Sequence, residues 1–390
     1  MSLSSESTTP TLAAATTPLL QVSAFDGETS GRHIVLLKST AFKEAHLDWL
    51  SSVRIASSDV AVTHSDWDVI NAYAGKFDEA TLTSLRASPD VEAIEEDGIM
   101  HAFETVTEIN APWGLARLSQ DGPVSGSDSA LDHSYSYDSS GGAGVDVYVV
   151  DTGISTTHSD FGGRASLGAV FGSSQNVDGN GTHVSGTVAG TQYGRVAKAA
   201  SLIAVKVLSD SGSGAISDII SGLNFVASSA SSSGRPSIAT MSLGGGASTA
   251  LDNAVASLTG QGIHVTVAAG NSATDASSTS PARAPSANTV GASTISDSIA
   301  SFSNFGSVVD IFAPGLDVTS AWIGSDTATN TISGTSMATP HVAGLIAYLI
   351  GLNGNSSPAD MSNLLKSTAV QDALSAIPSG TQNLLARNNV

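Results

Sequence analysis

The sequence contains no cysteine, and only 13% of its 390 residues are charged. Without cysteine, a disulfide framework, a thiol nucleophile and thiolate metal ligands are all excluded. Basic residues are especially scarce, because 15 Lys and Arg stand against 35 Asp and Glu, which gives a net charge of −20. Such a chain repels nucleic acid and anionic membrane surfaces, so we expect neither as a partner. The sequence contains no uninterrupted run of about 18 apolar residues, so it predicts no membrane-spanning helix.

The sequence is rich in apolar residues and in glycine. Its hydrophobic fraction of 41% suffices for one large core and a smaller domain. The 39 glycines cluster beside apolar runs, a pattern typical of tight turns between strands and helices. Residues 1–30 are instead rich in Ser and Thr and lack the basic start and apolar stretch of a secretory signal. We expect residues 1–30 to be disordered.

The pattern over residues 31–105 predicts a small α+β domain. Strands and helices alternate in the order βαβαβ, over residues 34–37, 41–55, 67–73, 79–87 and 91–94. Taken alone, this order fits an ordinary binding or dimerisation domain equally well.

Residues 106–390 predict an α/β domain. Short β-branched apolar runs lie at 145–150, 202–208, 238–243 and 264–269, and helical patterns lie between them at 183–190, 216–229 and 251–260. Such alternation indicates a parallel sheet that is covered by helices on both faces. Active groups in these sheets lie at the carboxyl ends of the strands.

Three polar residues stand out in the second domain. Asp151 follows an apolar strand, His183 lies among small residues at a helix start, and Ser336 follows a glycine turn before an apolar helix at 341–352. Each has a plain alternative: a turn aspartate, a structural histidine and an N-cap serine. Together they fit a nucleophile, a base and an orienting carboxylate. An EF-hand is excluded, because Thr187 stands where its bidentate glutamate is required.

Three motifs resemble the subtilase family, and specifically its proteinase K-like branch, from about His33 onward. They are VVDTGI at 149–154, NGTHVSGT at 180–187 and GTSMATPH at 334–341. The resemblance implies a subtilisin-like fold and a serine endopeptidase that works through an acyl-enzyme, with Asp151, His183 and Ser336 as its triad and no catalytic cofactor. It also implies that Asn271, in VAAGNS at 267–272, is an oxyanion donor, although an Asn after Gly is otherwise typical of a turn.

The same resemblance implies residues for substrate and metal binding. An extended peptide would lie along Gly212, Ser213, Gly214, Ser242, Leu243 and Gly244. Small residues around Ala269 and Gly270 would line an uncharged slot, which favours cleavage after hydrophobic or aromatic residues. A structural Ca²⁺ ion would bind the carbonyls of Pro285 and Ala287 and the carboxylate of Asp310.

The N-terminal domain, at HIVLLK 33–38 and VEAIEED 91–97, resembles the inhibitory propeptide of the family. This implies a zymogen with residues 101–105 in its own cleft and autocatalytic cleavage near Thr105–Val106. It implies protein and peptide substrates, the propeptide as an intramolecular inhibitor, a monomer and an extracellular location. No signal peptide is visible, so intracellular and vacuolar locations stay open. The cysteines common in secreted members are absent, and Asn288 stands where one often occurs.

Three other functions are weighed against this one. An aspartic protease would use Asp151 and Asp210, but these are too close in sequence for two lobes. An α/β-hydrolase would place its acid and histidine after Ser336, where only His341 follows. A non-enzymatic inhibitor or folding chaperone, with a silent protease fold attached, remains the alternative from another class.

Overall fold

The computed structural model describes residues 19–25, 29–54, 65–67, 69–98, 105–171, 178–192 and 196–389. The chain divides into two compact units, residues 1–102 and residues 103–390.

The N-terminal unit is the predicted α+β domain. Its elements are β1 (Val22–Ser23), β2 (Thr29–Leu37), α1 (Lys43–Arg54), β3 (Ser65–Trp67), β4 (Ala72–Gly75), α2 (Glu79–Ala87) and β5 (Val91–Gly98). The sheet has the order β1-β5-β2-β4-β3, and β2 pairs antiparallel with both of its neighbours. Val35, Leu50, Tyr73, Leu85 and Ile94 are buried in one core. The predicted α+β domain is confirmed, and its two helices and antiparallel central strands form a ferredoxin-like arrangement with more strands than the three predicted.

The disorder expected for residues 1–30 is wrong for part of that segment. Val22 and Ser23 form β1, which pairs parallel with Ile94 and Glu95 of β5, and β2 already begins at Thr29. Residues 1–18 and 26–28 lie outside the described residues, as do residues 101–104 before the expected cleavage at Thr105–Val106.

The second unit is built around a nine-stranded sheet. The strands of the whole unit, which include those of three two-stranded sheets, are β6 (Thr105–Ala111), β7 (His133–Asp138), β8 (Asp146–Asp151), β9 (Ala165–Val170), β10 (Ser201–Lys206), β11 (Ser237–Met241), β12 (Gly245–Gly246), β13 (His264–Ala268), β14 (Thr279–Ser280), β15 (Asn288–Ser293), β16 (Ile311–Pro314), β17 (Val318–Ala321), β18 (Thr329–Ile332), β19 (Val370–Gln371) and β20 (Leu384–Leu385). The nine-stranded sheet has the order β19-β20-β16-β15-β13-β11-β8-β10-β9, and all of its neighbouring strands are parallel except β19 and β20.

Helices cover both faces of this sheet. They are α3 (Trp113–Leu118), α4 (Gly179–Ala189), α5 (Ile216–Ser233), α6 (Thr249–Gly260), α7 (Thr335–Asn353) and α8 (Pro358–Thr368). Alternate residues of β8 belong to opposite cores: Val147 and Val149 pack with residues of α4 and α7, whereas Tyr148 and Val150 pack with residues of α5 and α6. The predicted α/β fold, with a parallel sheet between two helical layers, is confirmed.

Helix α7 crosses the core beneath this sheet. Its length and apolar composition would allow it to span a membrane, but 83% of its most apolar window is buried inside the protein. Because the helix is buried among strands and helices of its own unit, it is a core helix. It begins at Thr335, six residues before the predicted start, and Pro340 therefore lies inside the helix.

Helix α4 also begins earlier than predicted. Asp178 caps its N-terminus, because the carboxylate accepts a hydrogen bond from the Asn180 backbone N–H at 3.4 Å. Gly181 in the first turn lies so close to the turn that follows β8 that an added Cβ would approach the Gly153 oxygen to 2.3 Å. The first turn of α4 is therefore held against the carboxyl end of β8.

Candidate active site

The carboxyl end of β8 places Asp151 in a fully buried position. Its Oδ1 accepts a hydrogen bond from the Thr152 backbone N–H at 2.7 Å. The pKa of this carboxyl is raised to about 7, mainly because burial removes water from the charged form. The hydrogen bonds from Thr152 and the charge of Lys206 lower the pKa, while the nearby charge of Asp178 raises it.

The side chain that Asp151 contacts across the cleft is Asn180, the second residue of α4. When its amide is oriented by its hydrogen-bond partners, Nδ2 donates to Asp151 Oδ1 at 3.1 Å and to Oδ2 at 3.0 Å. Asn180 is half-buried, and it lines the same cavity as Asp178 and Ser336. An amide donor, and no imidazole, therefore occupies the position beside the buried carboxylate.

His183 lies elsewhere, one helical turn deeper in α4. Its Nε2 lies 2.9 Å from the Val318 carbonyl oxygen, its ring meets Trp322 edge to face at 6.1 Å, and its side chain is fully buried. Its Nδ1 has no hydrogen-bond partner among the described residues. Burial lowers the pKa of this imidazole to about 4.

The predicted contacts from His183 to Asp151 and to Ser336 are therefore not formed. The plain alternative for this residue, a structural histidine, describes its surroundings. The physical reason is the early start of α4, which brings Asn180 to the edge of the sheet and turns His183 toward β17 and Trp322.

Ser336 is the second residue of α7 and is half-buried. Its hydroxyl donates to the Ser242 carbonyl oxygen at 3.2 Å, and the Ser242 hydroxyl donates to the Ser336 carbonyl oxygen at 3.0 Å. Pro340 has no N–H to bond the Ser336 carbonyl oxygen four residues earlier, so this oxygen is available to Ser242. A hydroxyl in the first turn of a long helix also lies at the positive end of the helix dipole.

Asn271 is oriented by Thr335, the residue before the serine. Its Oδ1 accepts hydrogen bonds from the Thr335 backbone N–H and from the Thr335 hydroxyl, both at 2.8 Å. Because both donors hold the oxygen, Nδ2 is the atom of the amide that is left to donate to a ligand. Asn271 and Ser336 line one cavity.

Two cavities meet at Ser336. The first has a volume of about 670 Å³ and is lined by all six residues expected to bind an extended peptide: Gly212, Ser213, Gly214, Ser242, Leu243 and Gly244. The second, of about 430 Å³, is lined by Gly270, Ala268 and Asn271 and by no charged side chain. Ala269 does not line either cavity, because its side chain points into a buried cluster with Phe312 and Leu385. Of the described residues that line the two cavities, none is a histidine.

The residues expected to bind calcium do not fit the ion as they stand. Asp310 Oδ1 accepts a hydrogen bond from Lys366 Nζ at 2.7 Å, and Oδ2 accepts one from the Thr289 backbone N–H at 2.8 Å. Pro285 and Ala287 line a cavity together with Lys366. Ca²⁺ needs six to eight oxygen ligands, and here an ammonium group already neutralises the one carboxylate. The described residues contain no cluster of three or more His, Asp or Glu that could hold a metal.

Sequence reasoning missed Asn180, Thr335 and Lys366. Two signals could have indicated Asn180: the capping residue Asp178 before it, and the rule that first-turn residues lie at the carboxyl edge of a parallel sheet. Nothing local could have indicated Lys366, because its partner Asp310 is 56 residues away in sequence.

Comparison with known proteins gives consistent results for both units. Residues 142–387 match the Subtilase family and residues 32–103 match the Peptidase inhibitor I9 family. The chain is 50% identical to "Subtilisin-like serine protease AsES" of Sarocladium strictum, over 81% of this chain and 80% of that protein. It is 47% identical to "Alkaline protease 1" of Emericella nidulans, over 92% and 91% of the two chains.

Two further relatives extend the comparison. "Cuticle-degrading protease" of Metarhizium anisopliae is 45% identical over 92% of this chain and 89% of that protein. The crystal structure of a cold-adapted subtilisin-like serine proteinase aligns with a TM-score of 0.66 and 48% identity, covering 72% of this chain and 98% of that one. The chain therefore belongs to the subtilase family of serine proteases, and its N-terminal unit is a peptidase inhibitor I9 domain.

Proposed function

We propose that this chain is a serine endopeptidase precursor that binds extended polypeptide in the cleft at Ser336 and hydrolyses it slowly. The observation that carries the proposal is the meeting of a serine hydroxyl, an oriented amide donor and two glycine-rich cavities at one place. Ser336 lines both cavities, and Asn271 lines one of them.

The chemistry supported by these groups is acyl transfer. Ser336 Oγ would attack the carbonyl carbon of a bound peptide, and the negative charge would develop on the carbonyl oxygen. Asn271 Nδ2 and the Ser336 backbone N–H are the donors available to that oxygen. Thr335 holds the amide in this orientation before substrate binds, so its reorganisation in the transition state costs little.

The expected substrate is an extended segment with large apolar side chains. The backbones at 212–214 and 242–246 line the first cavity, and their glycines allow a peptide backbone to approach closely. Ile216, Ile219 and Leu251 form an apolar part of the lining of this cavity, beside the carboxylates of Asp178 and Asp210. The second cavity has no charged side chain to select a charged residue, which favours cleavage after hydrophobic or aromatic residues.

The rate of hydrolysis is expected to be low because His183 is not available as the base. Removing the histidine of subtilisin itself lowers kcat about 10⁶-fold, and a residual acceleration of about 10³–10⁴ over water remains from the oxyanion hole and binding. We therefore expect self-cleavage near Thr105–Val106 to be slow in this chain, and the I9 domain to stay attached for longer than in a fast enzyme.

The other expectations follow from the family. We propose protein substrates, an intramolecular inhibitory role for the I9 domain, a monomeric state and an extracellular location. The name of the Metarhizium relative, a cuticle-degrading protease, supports an extracellular substrate. With Lys366 beside Asp310, we do not place a calcium ion at Pro285, Ala287 and Asp310.

The test uses full-length protein with a thrombin recognition sequence inserted between residues 102 and 103, so that the units fold together before they are cut apart. A typical kcat of about 1–10³ s⁻¹, lowered about 10⁶-fold, leaves about 0.1–100 turnovers in a day. Mass spectrometry of a peptide digest, incubated for one day, detects this number. We expect cleavage after aromatic and large aliphatic residues in the wild type.

Asn271→Leu should abolish these cleavages, because the residual acceleration comes from the oxyanion hole and binding, whereas Ser336→Ala should change them little while the base is missing. Ser333→Ala is the matched control because Ser333 is exposed beside the site. Cleavage that persists unchanged in Asn271→Leu, or a pattern unrelated to apolar side chains, would exclude the proposed function.

A further inference from the structure

Hydrolysis at a serine needs a group that accepts the hydroxyl proton and passes it to the leaving nitrogen. In this site a nucleophile, an oxyanion donor and a buried carboxylate are present, but the side chain beside the carboxylate is an amide. Resting on the function proposed above, we infer that position 180 is the general-base position of this protein, and that Asn180 keeps its peptidase site attenuated by withholding an imidazole.

The geometry of Asn180 carries the inference. The side chain reaches Asp151 with both Nδ2 contacts near 3.0 Å and lines the cavity that Ser336 also lines. The Nδ2 of asparagine and the Nδ1 of histidine are the same number of bonds from Cα. A histidine at 180 can therefore donate to Asp151 from the place of the present amide nitrogen. Its remaining ring atoms, including Nε2, would extend into the open cavity.

The chemistry of the amide explains the attenuation. During acylation the Ser336 Oγ–C bond forms and the peptide C–N bond breaks, and the proton lost from Oγ must end on the leaving nitrogen. An imidazole Nε2 accepts this proton and then donates it, whereas a carboxamide nitrogen has no lone pair basic enough to do so. Asn180 therefore satisfies Asp151 without supplying a proton acceptor.

His183 cannot replace it without disrupting the core. Its Nε2 lies 2.9 Å from the Val318 carbonyl oxygen and its ring packs on Trp322, on the side of α4 that faces β17 and Trp322. Three residues along a helix correspond to about 4.5 Å of rise and a rotation of about 300°. His183 thus lies deeper than Asn180, away from the residues that line the cleft.

The experiment compares four thrombin-cleavable full-length proteins: wild type, Asn180→His, Asn180→His with Ser336→Ala, and Asn253→His. Asn253 is an exposed residue on α6, so the last protein controls for an added histidine. Two quantities are measured: hydrolysis of a tetrapeptide anilide with phenylalanine before the scissile bond, and the intact mass of protein that has not been treated with thrombin.

We expect Asn180→His to raise kcat/KM by at least 10³-fold over the wild type, with a new pH limb near 7 from the imidazole, and to shorten the chain near residue 105. Both gains should vanish in the double variant and be missing from Asn253→His. A folded Asn180→His protein that shows no gain overturns the inference, and so does a wild type that already turns over at 1 s⁻¹ or faster. The first result leaves the proposed function standing while slow cleavage still depends on Asn271, and the second overturns only its low rate.

A second variant covers the case in which Asn180→His does not fold. Asn180→Gly leaves space in the cavity, and added imidazole should accelerate its Ser336-dependent hydrolysis in proportion to concentration, while it leaves the wild type unchanged. The absence of any acceleration in folded Asn180→Gly would overturn the inference. If the wild type shows no cleavage that depends on Asn271 but Asn180→His shows cleavage that depends on Ser336, the hydrolytic part of the proposed function fails and the inference stands.

Discussion

Replacing Lys366 with methionine tests whether an ammonium group takes the place of a calcium ion in this subtilase. Lys366 Nζ lies 2.7 Å from Asp310 Oδ1, and the two side chains are 30% and 21% exposed. For such a half-buried pair, losing the cation should destabilise the protein by about 1–2 kcal/mol, between the values for exposed and buried pairs. For a unit of this size that corresponds to a decrease in Tm of about 2–6 °C.

The diagnostic result is the response to calcium. The difference in Tm between EDTA and millimolar Ca²⁺ should be the same in the wild type and in Asp310→Asn, because Lys366 already neutralises Asp310. In Lys366→Met the carboxylate loses this partner, and Pro285 and Ala287 line the vacated cavity. If Ca²⁺ binds there, a concentration of 100 times Kd restores about 2.7 kcal/mol.

The assay is thermal unfolding by circular dichroism at one scan rate, with Ser367→Met as the control on the exposed face of α8. A wild type whose Tm falls by several degrees in EDTA, when the Tm of Asp310→Asn does not, would refute the reasoning, because a calcium ion would then be bound at Asp310 despite Lys366. An unchanged Tm in Lys366→Met would refute the structural role of the pair.

Three further predictions concern the site itself. His183→Gln should lower the free energy of unfolding in guanidinium by about 2–4 kcal/mol, because the ring contact with Trp322 and the bond to Val318 are lost, yet it should leave hydrolysis by an Asn180→His protein intact below its Tm. Thr335→Val should lower the kcat of an Asn180→His protein about 10-fold with little change in KM, since Asn271 loses its hydroxyl donor. Burial raises the pKa of Asp151 to about 7, so the folded state binds more protons than the unfolded state between about pH 4 and 7. Wild-type stability should therefore fall as pH rises through this range, and Asp151→Asn, measured by guanidinium midpoints at each pH, should flatten that fall.

The fold could be predicted from the sequence because each central strand is short, apolar and followed by turn residues. This pattern identifies parallel strands that are buried on both faces, and β8, β10, β11 and β13 lie close to the predicted ranges. The same pattern placed Asp151 at a strand end and Ser336 at a helix start, which is where the structure has them. Pairings between distant residues, such as Lys366 with Asp310, leave no local signal.

The helix starts were harder to predict, and the error at the site follows from them. The helix predicted at 341–352 begins at Thr335 instead, because Pro340 is tolerated in its first turns, where the missing N–H frees a carbonyl for another donor, here Ser242. Histidine at 183 suggested the start of α4, but the cap at Asp178 sets the start four residues earlier. The sequence predicts His183 as the base because this residue is a histidine, whereas the position of a residue relative to the helix cap determines which side chain reaches Asp151.

The contact between Asn180 and Asp151 also explains how a site without an imidazole can keep its carboxylate. A fully buried Asp151 with Thr152 as its only donor would be costly, since desolvation disfavours the charged form. The Asn180 amide donates to both carboxylate oxygens and offsets part of this cost. An alanine at 180 would remove these two hydrogen bonds from the carboxylate without adding a base. Asparagine is thus a residue that preserves the structure of the site while removing its proton acceptor, so stability and hydrolysis are separable at this one position.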